Sequence, residues 1–201
     1  MIEQNSDAFE PLSSFNQDRD LFARLNQYMD TATLNLKQGR GWFIFNPNRT
    51  RANRISNLLM GRLAEYRPFI SYFYVPWRDF SLNAYMREVE LSDEERNAAQ
   101  AAKDQHLKKE LNIARRVTTD TSWAMLTSDI VIISELQPNH NHEARRLAEV
   151  LEGRLGRRMT TVLITPHMPH ELGQAFEELA PETDFWDNLY RRMYETGFMA
   201  L

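Results

Sequence analysis

The sequence predicts an α/β fold, a three-layer sandwich around a mostly parallel sheet. Three observations carry this. Short apolar or β-branched runs at 42–45, 69–75, 130–133 and 159–164 are bounded by glycine, proline or polar turn residues, as strands are. Between them, apolar residues recur every three or four positions, as on one face of a helix. The 201 residues, 42% hydrophobic and 26% charged, suit a single domain with a core of ordinary size. Strands separated by helices pair in parallel and need helices on both faces.

Composition narrows the function. With 0 cysteines, disulfides, thiolate metal sites and cysteine nucleophiles are excluded. No apolar run approaches the ~20 residues of a membrane span. The N-terminal stretch is polar and acidic, unlike a signal peptide, so a cytoplasmic protein with no membrane partner is expected. The formal net charge of -4 argues against a wholly basic nucleic-acid binder and leaves room for a local basic patch. Glycine is scarce, at 7 residues, and Gly61 is the single one between Trp42 and Glu152. Phosphate-cradling loops use glycine where backbone amides approach a ligand closely.

Residues 1–17 read as a flexible acidic arm, with sparse apolar residues and Pro11 to interrupt a helix; 18–201 read as the domain. A helix over 18–37 carries the stripe Leu21, Phe22, Leu25, Tyr28 and Met29. The strand at 42–45 ends in Asn46-Pro47-Asn48, and a helix follows with Ile55, Leu58, Leu59, Leu63 and Tyr66 on one face. The strand at 69–75 stops at Pro76. A charged helix over 92–116 opens at Ser92 with Glu95 three positions on, a capping-box pattern. A short helix over 120–126, the strand at 130–133, an amphipathic helix over 143–155, the strand at 159–164 and a helix over 185–194 complete the order.

Ligands of parallel sheets bind outside the carboxyl ends of strands. The first strand leads through residues 46–53, NPNRTRAN, into a helix. A P-loop, G-x-x-x-x-G-K-[ST], belongs at such a place. Here Asn46 and Arg51 stand at its glycines, Ala52 at its lysine and Asn53 at its hydroxyl. After the 130–133 strand, Ser134-Glu135 stands where a Walker B strand ends in Asp-Glu. His167, in Thr165-Pro166-His167, is placed to orient a water or to be an ordinary loop histidine.

Together these positions resemble the AAA+ domain of DnaC-type helicase loaders and the related IstB-type ATPases, over roughly residues 21–195. Pro47 and Thr50 match the proline and threonine of the family's G-P-P-G-T-G-K-T, and LTSDIVIISEL resembles the Walker B strand with a preceding aspartate, Asp129. Residues 184–195, DFWDNLYRRMYE, resemble the segment that carries the arginine finger, with Arg192 at the matching position. The resemblance implies a P-loop NTPase-like fold without a working Walker A. It implies a DNA-replication accessory protein, a loader or helicase-binding adaptor that acts by protein contact. Its partner is expected to be a hexameric replicative helicase or another replication protein, with single-stranded DNA and self-association left open. No cofactor is expected; any weak residual ATP contact falls to Asn48, Arg49, Thr50, Arg51 and Glu135, with Arg192 vestigial or acting in trans. Contact with DNA would use Arg49, Arg51, Arg54, Arg62, Arg145, Arg146, Arg154, Arg157 and Arg158, with Trp77 and Phe80 stacking on bases.

Two other readings compete. A nucleoside N-glycosidase or deoxyribosyltransferase-like enzyme would use Glu143 as nucleophile and Asp120 as proton relay; the plainer role for Glu143 is a first-turn carboxylate favoured by the helix dipole. His140, His142, His167 and His170 have metal-ligand chemistry but loop spacings common by chance, so no metal is expected.

Overall fold

The computed structural model describes residues 12–67, 69–88, 105–181 and 184–200. Eight helices and five strands follow among them: α1 (Leu12–Asp30), α2 (Ala32–Lys37), β1 (Trp42–Phe45), α3 (Arg49–Glu65), β2 (Tyr72–Pro76), α4 (Trp77–Glu88), α5 (Gln105–Thr127), β3 (Ile130–Ser134), α6 (Asn141–Leu155), β4 (Thr160–Thr165), α7 (Pro169–Leu179), α8 (Phe185–Thr196) and β5 (Phe198–Ala200). The strands form one sheet in the order β2-β3-β4-β1-β5. Every neighbouring pair is parallel, with Trp42 opposite both Val162 and Phe198.

The alternation of side chains along each strand builds the three layers. Phe43, Phe45, Val131, Ile133 and Leu163 face one core, with Leu147 and Leu151 of α6, Phe176 of α7 and Met193 of α8. Trp42, Ile44, Ile130, Ile132, Val162 and Ile164 face the other, with Leu21 and Leu25 of α1 and Ile55 and Leu59 of α3. Strands covered on both faces read as continuous apolar runs, which is why β1 and β3 were legible. Each fully buried aliphatic or aromatic side chain contributes about 1.5–3 kcal/mol.

Several boundaries differ from the sequence reading. α1 begins at Leu12, directly after Pro11, so residues 12–17 join the helix and not the expected arm. The helix expected over 18–37 is two: Thr31 separates α1 from α2, and buried Asn35 closes the joint by donating to the carbonyl of Tyr28 and the hydroxyl of Thr31. β2 begins at Tyr72, and Phe69 is exposed. Residues 105–127 form one uninterrupted helix where a break near 117–119 was expected; the Ser92–Glu95 cap lies outside the described residues. α4, α7 and β5 were not anticipated. In α7, Pro169 occupies the first helical turn, where its missing N–H costs nothing.

The strand entries are tied together by close contacts. A Cβ on Gly41 would lie 1.9 Å from the carbonyl oxygen of Thr161, so only glycine lets β1 start this close to β4. Gly39 takes a left-handed φ of 65 and abuts the Arg158 backbone. Asp129 accepts the Ser71 amide at 2.9 Å and its hydroxyl at 2.6 Å, pinning β3 to the start of β2.

Arg154, in the last turn of α6, is fully buried. Its Nε donates to Thr161 Oγ1 at 2.9 Å, and Nη1 donates to the carbonyls of Met125 at 2.7 Å and Ser128 at 2.9 Å. Nη2 donates to the carbonyls of Asp129 and Thr160. All five guanidinium donors are therefore used. Burial lowers its pKa to about 10 and the Asp129 carboxylate opposes that shift, so the side chain stays charged at neutral pH.

Two substitutions separate the forces involved. Arg154→Met leaves four buried carbonyls and a hydroxyl without their donor and is expected to cost about 3–5 kcal/mol, read as the shift in ΔG by urea unfolding. Asn48→Ala removes the α3 cap, in which Asn48 Oδ1 accepts the Arg51 amide at 2.8 Å; the expected loss is about 1 kcal/mol. Equal costs for the two would contradict the central role of Arg154.

Candidate functional site

The carboxyl ends of β1, β3 and β4 converge on one cleft, about 410 Å³ in volume, lined by Pro47, Arg49, Ala52, Trp77, Arg78, Glu135, Gln137, Ile164 and Pro166. The sequence reading placed Arg49 and Glu135 there; the geometry adds Trp77 and Arg78, which open α4, and Gln137 in the loop after β3.

Two residues turn the chain into this cleft with left-handed backbones: Asn46, φ 54, and Glu135, φ 57. Asparagine tolerates that conformation, whereas for glutamate it costs roughly 1 kcal/mol. Asn46 stands at the first glycine of the resembling motif and meets the same backbone requirement without glycine. Three bonds lock the strand ends. The Asn46 amide donates to the His167 carbonyl at 3.2 Å, the Leu136 amide to the Ile164 carbonyl at 2.8 Å, and Thr165 Oγ1 to the Leu136 carbonyl at 2.7 Å.

Several side chains at this end have polar partners, whereas the buried Trp77 Nε1 has none among the described residues. Arg49 Nε lies 3.2 Å from Glu135 Oε1, joining the start of α3 to the end of β3. Ser134, buried at the Walker B aspartate position, shares a hydrogen bond with the Tyr74 hydroxyl at 2.9 Å. His167 Nδ1 sits 3.9 Å from Glu171 Oε2, against the first turn of α7.

A magnesium triphosphate needs an amide cradle, a lysine, a hydroxyl and a metal-binding carboxylate. The connection from β1 to α3 is only Asn46-Pro47-Asn48, because the helix already starts at Arg49. Arg49, Thr50 and Arg51 are thus the first turn of a helix and do not form a loop. The Arg51 and Ala52 amides are bonded to Asn48. Ala52, at the lysine position, is buried against the α1–α3 core. The residues present do not fit the group.

The remaining candidates lie apart from the cleft. Glu143 is 2% exposed; its Oε2 accepts the Asn139 amide at 2.7 Å and the His140 amide at 3.1 Å, and its Oε1 accepts the Ser81 hydroxyl. That is a helix-capping carboxylate with both oxygens engaged. Asp120 is exposed on α5, in an i,i+4 pair with Arg116 at 3.7 Å. Arg192 lies on the exposed side of α8. The imidazoles of His140 and His142 stack at 5.3 Å. Among the described residues no three His, Asp or Glu side chains converge to hold a metal.

The arginines do not form the single set the sequence suggested. Arg154 is in the core and Arg146 is buried beside Glu149 at 2.9 Å, with burial lowering its pKa. Arg62 pairs with Asp30, and Arg145 lies 3.9 Å from Glu88. Trp77 and Phe80 stack on each other at 4.8 Å and are 5% and 0% exposed, so neither presents a face to a base. No helix among the described residues is long and apolar enough to cross a membrane.

No protein-family model and no curated protein matches the sequence. Solved structures match the fold. A DnaC helicase loader superposes with a TM-score of 0.56 at 11% identity, over 98% of this chain and 93% of that one. A candidate primosome component from Streptococcus pyogenes serotype M3 gives a TM-score of 0.60 at 8% identity, over 90% of this chain and 77% of that one. AMPPCP-bound DnaA from Aquifex aeolicus gives 0.53 at 13% identity, over 92% of this chain; the match spans 46% of the DnaA chain. With its five parallel strands in the order β2-β3-β4-β1-β5, the chain shares the α/β fold of these solved structures.

Proposed function

We propose that this protein is a DNA-replication accessory factor of the helicase-loader kind, acting by contact with a replicative helicase or another replication protein. The observation that carries this is the end-to-end match to a DnaC helicase loader, 98% of one chain on 93% of the other. The cytoplasm is the setting such a role requires.

The cleft supports a contact role over an ATPase role. Catalysis of phosphoryl transfer is almost wholly positioning and electrostatics. At this cleft the lysine and aspartate positions hold Ala52 and Ser134, and Glu135 is held by Arg49. Arg192, on α8, is the residue we assign to a trans role on a neighbour's nucleotide.

The test is a titration of the protein with a fluorescent ATP analogue and Mg²⁺, alongside a titration with a replicative helicase hexamer. Helicase binding with no nucleotide binding in the micromolar range is the expected result. Micromolar nucleotide binding would overturn the inactive-site reading, and absence of helicase binding would overturn the loader reading. For Arg192, any change that the protein causes in its partner's ATPase rate is expected to vanish in Arg192→Ala while binding persists. An unchanged rate would remove the trans role.

A further inference from the structure

The outer face of α5 leaves a stripe of large apolar side chains in water. The helix packs inward through Thr118, Ser122 and Met125, which are buried. The Thr118 carbonyl accepts from Asn83 Nδ2 at 3.1 Å, and the Ser122 hydroxyl donates to Asn83 Oδ1 at 3.4 Å, so α4 lies along this inner side. At about 100° per residue, the opposite side holds Ile113, Arg116, Val117, Asp120 and Trp123. All five are exposed, Ile113 at 63%, Val117 at 59% and Trp123 at 69%. Apolar residues scattered singly on a surface are ordinary. Three on one helix face, within about 15 Å at about 1.5 Å per residue, form a continuous strip of the kind that marks an interaction surface.

The order of residues along the stripe points to what covers it. Ile113 and Trp123 stand at equal distances on either side of position 118, and so do Arg116 and Asp120. When two identical helices pack antiparallel across a two-fold axis at that level, each residue meets the one at the mirrored position in the other copy. Ile113 then meets Trp123 of the second copy, and Arg116 meets its Asp120, each of these contacts occurring twice. The two Val117 side chains flank the axis. A two-fold contact has to be complementary to itself in this way, apolar to apolar and cation to anion. A stripe shaped for an unlike partner has no reason to be. Within one chain Arg116 Nε lies 3.7 Å from Asp120 Oδ2, with the two side chains 83% and 70% exposed. Such an exposed pair is worth little by itself, so both charges are free to turn toward a second copy.

We propose that α5 packs antiparallel on α5 of a second copy of this chain, through Ile113, Val117 and Trp123, with Arg116 and Asp120 paired across the contact. The arrangement is closed and stops at two copies. It uses neither the cleft nor Arg192, and it does not rest on the helicase-loader reading. Trp123 is its anchor, since an indole removes the most apolar surface from water. One helix face about 15 Å long covers far less than the roughly 800 Å² per partner of a stable complex. The dimer is therefore weak and depends on concentration.

The experiment is sedimentation equilibrium of the full chain from about 5 to about 500 μM, the range that a contact below standard size calls for. A monomer–dimer equilibrium is expected for the wild-type chain. Trp123→Ala is expected to raise the dissociation constant about 30-fold. Arg116→Glu sets two carboxylates level with each other across the axis, and Asp120→Arg sets two cations there; each is expected to weaken the dimer about tenfold. In an equal mixture of Arg116→Glu and Asp120→Arg chains every charge again meets its opposite, and association is expected to return to within about threefold of wild type. Tyr194→Ala, at an apolar residue 74% exposed on α8, is expected to leave the equilibrium unchanged. All the substituted side chains are exposed, and far-UV circular dichroism checks that each variant is folded. The mixture is a gain of association and cannot arise from misfolding. A wild-type chain that stays monomeric over the whole range overturns the proposal. So does a mixture that associates no better than its two components, an undiminished dimer in Trp123→Ala, or growth beyond two copies. No helicase or nucleotide enters the test, so its failure is distinct from a failure of the loader reading.

Discussion

One buried guanidinium joins four elements of this fold. Arg154 lies where the end of α5, the start of β3, the end of α6 and the start of β4 meet. A charge taken out of water costs several kcal/mol unless its geometry is matched. Here the match is one donor to one oxygen, five times over. Two of the acceptors are the carbonyls of Met125 and Ser128 at the C-terminal end of α5, where the helix dipole is negative. The guanidinium thus supplies donors to backbone groups that would otherwise be left unpaired. With β3 and β4 set by this anchor, β1 follows through its close approach at Gly41, and β5 follows β1, with Phe198 stacked on Trp42 at 5.0 Å.

The two ends of the sheet are built differently. At the carboxyl ends, polar side chains satisfy one another: Arg49 with Glu135, Ser134 with Tyr74, Asn48 with the α3 amides. At that end Ala52 and Ser134 stand where a P-loop pattern would have its lysine and a Walker B strand its aspartate. Asn46 and Glu135 turn the chain there with left-handed backbones, and three residues separate β1 from α3. At the amino ends, Lys37, Arg40, Arg157 and Arg158 are exposed.

The sequence made the fold readable and the site only partly so. β1, β3 and β4 are apolar on both faces, and α1, α3 and α6 carry clear stripes, so order and parallel pairing followed from residue pattern. α4 escaped because its buried residues Trp77, Phe80 and Ala84 alternate with the exposed apolar Leu82 and Tyr85, which blurs its stripe. Arg49 and Glu135 were placed at the cleft by their positions after strands, whereas Arg78 and Gln137 enter it only through the packing of α4 and the path of the chain after β3. The arginines were the least legible. In the sequence Arg154 is indistinguishable from Arg157 and Arg158, although one is core and the others are surface.

The sequence by itself determined the layer architecture and the places of β1, β3 and β4, because hydrophobic period and residue identity are local properties. Tertiary structure decided which charges are spent and which are free. Whether an arginine meets a carbonyl, a carboxylate or water depends on what a parallel sheet brings beside it from residues far along the chain. It brought Arg154 to the end of α5 and the start of β3, and left Arg157 and Arg158 on the surface.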